Sequence, residues 1–120
     1  MNDVPLGIPF SSERSFLASA GLVVVTGELD LSTAPRFKDD LLALLDAGAD
    51  AVIADLTGVT FIDSTALGVL IGAVRRLRER DGRLVLVASS RPVLRALTLT
   101  GLDRVFTICP TREEAVATVQ

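Results

Sequence analysis

Few residues in this chain are equipped for chemistry, and they sit close together. The stretch Phe61-Ile62-Asp63-Ser64-Thr65-Ala66-Leu67-Gly68 sets one carboxylate beside two hydroxyls where a short apolar run gives way to an amphipathic one. Such a junction, at the carboxyl side of a strand and the start of a helix, is where α/β proteins gather functional groups. Two roles are open to these residues. Asp63 or Ser64 can cap the helix by accepting a backbone amide, a contribution of about 1 kcal/mol. Alternatively, the Ser64 hydroxyl can project outward and accept a phosphate, which adds roughly −1.5 to −2 charges where free amides point. A second polar group follows an earlier apolar run, where Glu28 and Asp30 precede Ser32 and Thr33. Carboxylates in that setting are a weak signal taken alone.

What is missing narrows the field further. The chain has no histidine, so a serine or cysteine nucleophile has no imidazole to activate it. No Gly-x-Gly-x-x-Gly or Gly-Lys-Ser/Thr loop is present, and Lys38 is the sole lysine, which removes dinucleotide and P-loop readings. Cys109 stands alone, without a second thiol or any histidine to join it in a disulfide or a metal site. It reads as a small buried or strand-end residue, and neither metal nor cofactor is expected. An enzyme is not expected either. The net charge of −3 provides no basic footprint for direct contact with nucleic acid. Arg75, Arg76, Arg78 and Arg80 do cluster, but in the last turns of a predicted helix, where the dipole favours cations and the side chains stay solvated.

The elements that must position these residues follow from hydrophobic spacing. Residues 1–13, with Pro5, Gly7 and Pro9, read as an arm, and residues 14–120 as one domain. Ser15–Ser19 allows an edge strand, and Leu22–Thr26 predicts a buried one. Ser32 and Thr33 are suited to capping a helix that carries Pro35 in its first turn, repeats Phe37, Leu41, Leu44 and Leu45, and stops at Gly48. Ala51–Leu56 predicts a second buried strand, with an exit loop at Thr57-Gly58 and a brief segment through Phe61. Leu67, Leu70, Ile71, Val74 and Leu77 then form a helix stripe ending before Asp81-Gly82. Leu84–Ala88 is a strand, Pro92 to about Thr100 a helix ended by Gly101, Val105–Ile108 a last strand, and Thr111 the cap of a terminal helix with Val116 and Val119 inward. Continuous apolar strands alternating with helices predict an α/β fold: a largely parallel sheet of four to five strands, about four helices, and an antiparallel N-terminal edge.

Neither a leader nor a membrane span is expected. The apolar run from Arg14 to Val25 lacks a basic region before it, and no apolar run reaches the ~20 residues that cross a bilayer. With its lone thiol the chain suits the reducing cytoplasm.

Gly27-Glu28-Leu29-Asp30, Ser32-Thr33-Ala34, Asp55-Leu56, the Asp63-Ser64-Thr65 core with its flanks, and Thr100-Gly101-Leu102 before Val105-Phe106 together resemble the anti-sigma factor antagonists of the STAS domain family. The resemblance covers roughly residues 15–119. It implies a partner-switching protein. In that family the unphosphorylated antagonist binds an anti-sigma factor that is also a serine kinase, freeing a sigma factor. Phosphorylation of the serine after the motif aspartate, here Ser64, ends the interaction, and a phosphatase of the metal-dependent type resets it. Thr65 is the secondary acceptor. Asp30, Ser32, Thr33, Asp63, Ser64, Thr65 and Ala66 are the implied partner-binding positions, with Asp30 and Asp63 as the acidic residues beside the acceptor. Ala66 departs from the glycine common in the family, a change that a helical first turn accepts.

Two rivals follow from the same residues. A receiver domain would use Asp55 as a phosphoaspartate, but it needs a lysine after the last strand, where Cys109-Pro110 stands. A STAS domain can also serve as a scaffold in a stress-sensing assembly or as a subunit of a lipid-transport complex, a reading that the intact Asp63-Ser64 disfavours.

Overall fold

The computed structural model describes residues 7–18 and 20–120. Five strands form one sheet in the order β1 (Ser11–Leu17), β2 (Ala20–Leu29), β3 (Ala51–Ile62), β4 (Arg83–Val87) and β5 (Thr107–Cys109). β1 runs antiparallel to β2, and all other neighbours are parallel. The crossovers are α1 (Ala34–Asp46), α2 (Ser64–Arg78) and α3 (Arg91–Leu99), and α4 (Arg112–Val119) closes the chain. This is the predicted α/β architecture, with the antiparallel edge where it was placed.

Alternation along the strands divides the core unequally. Val23, Val25, Val52, Ala54, Leu84 and Leu86 face the helices α1, α2 and α3, and this larger core holds the fully buried Phe37, Leu41, Leu70 and Leu97. Leu22, Ile53, Val85 and Val87 face the other way, onto Cys109 and Ala115, with Val116 and Val119 packed alongside. One short helix therefore covers one sheet face while three cover the opposite one.

The main correction concerns β3. Thr57-Gly58 is not an exit loop; the strand continues to Ile62 and pairs with the second half of β2, from Thr26↔Gly58 to Leu29↔Ile62. Register shifts at Val24/Thr26 and Gly27/Glu28 absorb the residues that break the apolar pattern. Gly58 is needed at that irregularity, because a methyl there would lie 2.8 Å from Thr26 Cγ2. Since β4 pairs only as far as Asp55↔Val87, the ends of β2 and β3 project beyond the rest of the sheet as a two-stranded ribbon.

Three smaller differences follow from local geometry. β1 starts at Ser11, ahead of the predicted Ser15, held by Ser12 donating to the buried Asp40 carboxylate at 2.5 Å and by the Arg14–Asp40 ion pair at 2.6 Å. Its predicted end at Ser19, like arm residues 1–6, lies outside the described residues. The last strand is Thr107–Cys109, because Gly101 (φ 75°) turns the chain into a short 3₁₀ segment, Leu102–Arg104, that delays it. Arg80 does more than sit in solvent: it donates to the carbonyls of Leu45 and Ala49 and so closes the end of α1.

Candidate functional site

The projecting ribbon delivers two loops to one place. At the end of β2, Leu29 O accepts the amide of Asp63 at 3.2 Å, so the β2–α1 and β3–α2 junctions lie side by side. Asp63 joins them further. Its Oδ1 accepts Ala66 N at 3.1 Å and caps α2, while its Oδ2 accepts Leu31 N from the neighbouring loop at 3.0 Å. One carboxylate thus starts a helix and fastens a second loop to it.

Asp30 organises that second loop. Its Oδ1 accepts the Ser32 hydroxyl at 2.8 Å, the Ser32 amide at 3.0 Å, and the amide and hydroxyl of Thr33 at 3.2 Å each. These bonds, led by the Ser32 hydroxyl and only partly offset by desolvation, hold the Asp30 carboxyl below the usual carboxylate range. Thr33 sits at the start of α1 without capping it; its hydroxyl is turned back to Glu28 O at 2.8 Å and Asp30 N at 2.8 Å. Ser32 also forgoes capping. The capping expected of this pair is replaced by a closed polar turn.

Ser64 is what this scaffold presents. It is the first residue of α2, exposed, and its hydroxyl bonds to no described residue. Of the Asp63-Ser64 pair, it is Asp63 that caps, which leaves the Ser64 hydroxyl without that role. Thr65 is likewise exposed. Ala66 differs from the other implied contact residues, since it is completely buried and its side chain packs into the core, where no partner reaches it. No described cation pairs with Asp30 or Asp63, so the surface around Ser64 keeps its negative charge.

Two contributors were not singled out by residue type. Leu31 is 71% exposed and Phe61 48% exposed, and they add apolar surface to the loop after β2 and to the end of β3. An apolar residue between Asp30 and Ser32, and a phenylalanine at an outward strand position, are the signals that mark them.

Asp55 has a different occupation. It is buried and bound by Arg112 through Nε at 2.9 Å and through a second guanidinium nitrogen at 2.8 Å, and by the Thr57 hydroxyl at 2.6 Å. Burial raises its pKa, but the Thr57 bonds and the Arg112 charge outweigh this and leave it below the ordinary value. A carboxylate so enclosed is a clamp between β3 and α4. The receiver reading loses its phosphoaspartate. Cys109 is buried, as expected. Among the described residues no acidic, cysteine or histidine group is arranged to hold a metal, and no helix is long and apolar enough to cross a membrane.

Comparison with known proteins agrees with this geometry. The STAS domain model matches residues 15–115. The chain is 38% identical over 86 residues to the anti-sigma-B factor antagonist of Listeria monocytogenes, spanning 72% of this chain and 75% of that protein. It is 34% identical over 94 residues to the Bacillus subtilis anti-sigma-B factor antagonist, spanning 78% and 85%. The crystal structure of an anti-sigma factor antagonist from Mycobacterium paratuberculosis superposes with a TM-score of 0.87 at 29% identity, covering 95% of this chain and 98% of that one. With its topology, its Asp63-Ser64 junction and these relatives in agreement, the chain belongs to the STAS domain family, among its anti-sigma factor antagonists.

Proposed function

We propose that this protein is a cytoplasmic regulator that, when unphosphorylated, binds an anti-sigma factor with serine kinase activity, so releasing a sigma factor, and that phosphorylation of Ser64 switches it off. The observation that carries this reading is the free, exposed Ser64 hydroxyl, placed by a neighbour that performs the capping in its stead. The names of the relatives, antagonists of an anti-sigma-B factor, support the same partner class.

The chemistry asked of the chain is modest. The kinase supplies ATP; the Ser64 oxygen attacks the γ-phosphorus, the bond to ADP breaks, and the hydroxyl proton passes to a base of the kinase. Asp30, Ser32, Thr33 and Asp63 hold the acceptor loop in one geometry, and Leu31 and Phe61 supply apolar contact. The added dianion then stands beside Asp63 with no described cation to balance it. Covering it with an interface leaves a desolvated, unpaired charge, which costs several kcal/mol. At about 1.4 kcal/mol per tenfold in affinity, one phosphate is enough to end a tight complex. A metal-dependent serine phosphatase would restore the hydroxyl, and Thr65 is the secondary acceptor.

The test is incubation with ATP and the candidate anti-sigma kinase, read by intact mass and phosphosite mapping, with binding measured in parallel. Phosphate on Ser64, binding retained by Ser64→Ala and binding lost by Ser64→Asp are the expected results. A kinase that neither binds nor modifies the protein would overturn the proposal.

A further inference from the structure

The two helices that begin at the site leave a groove between them of about 650 Å³. The half-buried Leu42 of α1 and Val69 of α2 make its walls apolar, above a floor of the buried Leu41, Leu45 and Ala73. Gly68 and Gly72 line it one turn apart, and a methyl added at either would meet nothing within 4 Å, so the channel is open along their side of α2. Its rim carries Lys38, Arg75 and Arg76, with Glu79 as the one carboxylate among the described lining residues, in a chain whose net charge is −3. Arg76 is shared with the exposed Asp46 at 3.5 Å; Lys38 and Arg75 form no ion pair with any described residue. Thr65, which follows Ser64 in the first turn of α2, lines the groove.

We infer that this α1–α2 groove docks an amphipathic helix of the anti-sigma partner, apolar toward Leu42 and Val69 and acidic toward Lys38 and Arg75. The inference rests on the function proposed above. An apolar channel with a cationic rim is complementary to an apolar stripe with acidic flanks. At 1.5 Å per residue, the α2 wall from Thr65 to Glu79 offers roughly 20 Å, the length of a helix of about four turns. A second copy fits less well, because a two-fold contact through this face would bring the same cations together. Docking here also ties the groove to the switch: a phosphate on Ser64, one residue from the lining Thr65, adds negative charge near an acidic flank and repels it.

Calorimetric titration of the kinase into three proteins tests this, with Ser64 phosphorylation and circular dichroism followed for each. Gly72→Leu fills the channel, and the double variant Lys38→Glu/Arg75→Glu reverses its rim at two exposed positions, so it carries the test should Gly72→Leu misfold. Each is expected to weaken binding at least tenfold while remaining folded, and the charge reversal is expected to abolish most of the salt dependence seen with the unmodified protein. If the unmodified protein binds and is phosphorylated but both variants bind within twofold of it, the groove is unused and the Ser64 switch stands. If the unmodified protein does not bind the kinase, the proposed function itself fails and takes the groove with it. A monomer–dimer change in Gly72→Leu, read by sedimentation, would assign the groove to a second copy and overturn the inference.

Discussion

Asp55 and Asp63 lie on the same length of chain, one within β3 and the other just past its end, and both carboxylates are fully engaged. Their partners differ in kind. Asp55 faces α4 and is neutralised by Arg112, a charge pair that fastens the one helix on its side of the sheet. Asp63 is satisfied by backbone amides alone, which bond the carboxylate without cancelling its charge. The first arrangement stabilises; the second organises two loops and leaves the surface beside Ser64 anionic. Similar aspartates thus serve the architecture in one place and, under the proposed function, the switch in the other, and the counter-ion tells them apart.

The largest effect that would sharpen this contrast is on the signalling side. Ser64→Asp is expected to lower affinity for the anti-sigma kinase at least 100-fold, about 2.7 kcal/mol, with thermal stability unchanged. Wild-type affinity in that variant would mean that charge at Ser64 is not what the interface reads.

On the architectural side, Asp55→Asn is expected to cost about 2 kcal/mol in urea unfolding at neutral pH while leaving phosphorylation intact. This is less than the 3–5 kcal/mol of a fully buried pair because Arg112 remains 45% exposed and screened. The pH dependence follows from the lowered pKa of Asp55. A depressed carboxyl contributes stability that is complete above its unfolded pKa, near 4, and is lost as pH falls through the folded value. Below about pH 4, then, the wild type should lose stability more steeply than Asp55→Asn. Parallel acid limbs would assign the clamp to shape alone.

Asp63→Ala should be milder for the fold, about 1 kcal/mol for a lost cap. Hydrogen exchange should quicken at two amides far apart in sequence, Ala66 and Leu31. Faster exchange at Ala66 alone would show that the tie between the loops is incidental.

The smallest effect expected is a gain. Gly68→Ala adds a methyl into open space on α2 and should stabilise by up to about 1 kcal/mol by helix propensity. At Gly27, by contrast, φ is 87° and an added methyl would lie 2.8 Å from Phe10 Cα, so alanine there should destabilise.

Much of this is legible in the sequence. The unbroken apolar runs in β2, β3 and β4, the helix stripes from Phe37 to Leu45 and from Leu67 to Leu77, and Thr111 accepting Glu114 N at 3.2 Å as the last cap all follow from local spacing and local hydrogen bonding. Thr57-Gly58 reads as a break because Gly next to a polar residue is ordinarily one; only the facing residues of β2 convert it into a continuing strand. Ser32 and Thr33 have the right chemistry for caps, but Asp30 and the Glu28 carbonyl compete for their hydroxyls.

By itself, the amino-acid sequence determined the α/β class, the order of its elements, the absence of histidine-dependent chemistry, and the Asp63-Ser64 junction, because residue type and short-range periodicity express these directly. Tertiary structure alone decided which hydroxyl is free, that Ala66 points into the core, that Arg112 rather than solvent neutralises Asp55, and that α1 and α2 leave a basic-rimmed groove. Each of these depends on groups up to 57 residues apart meeting at a few ångströms, a proximity no local pattern encodes.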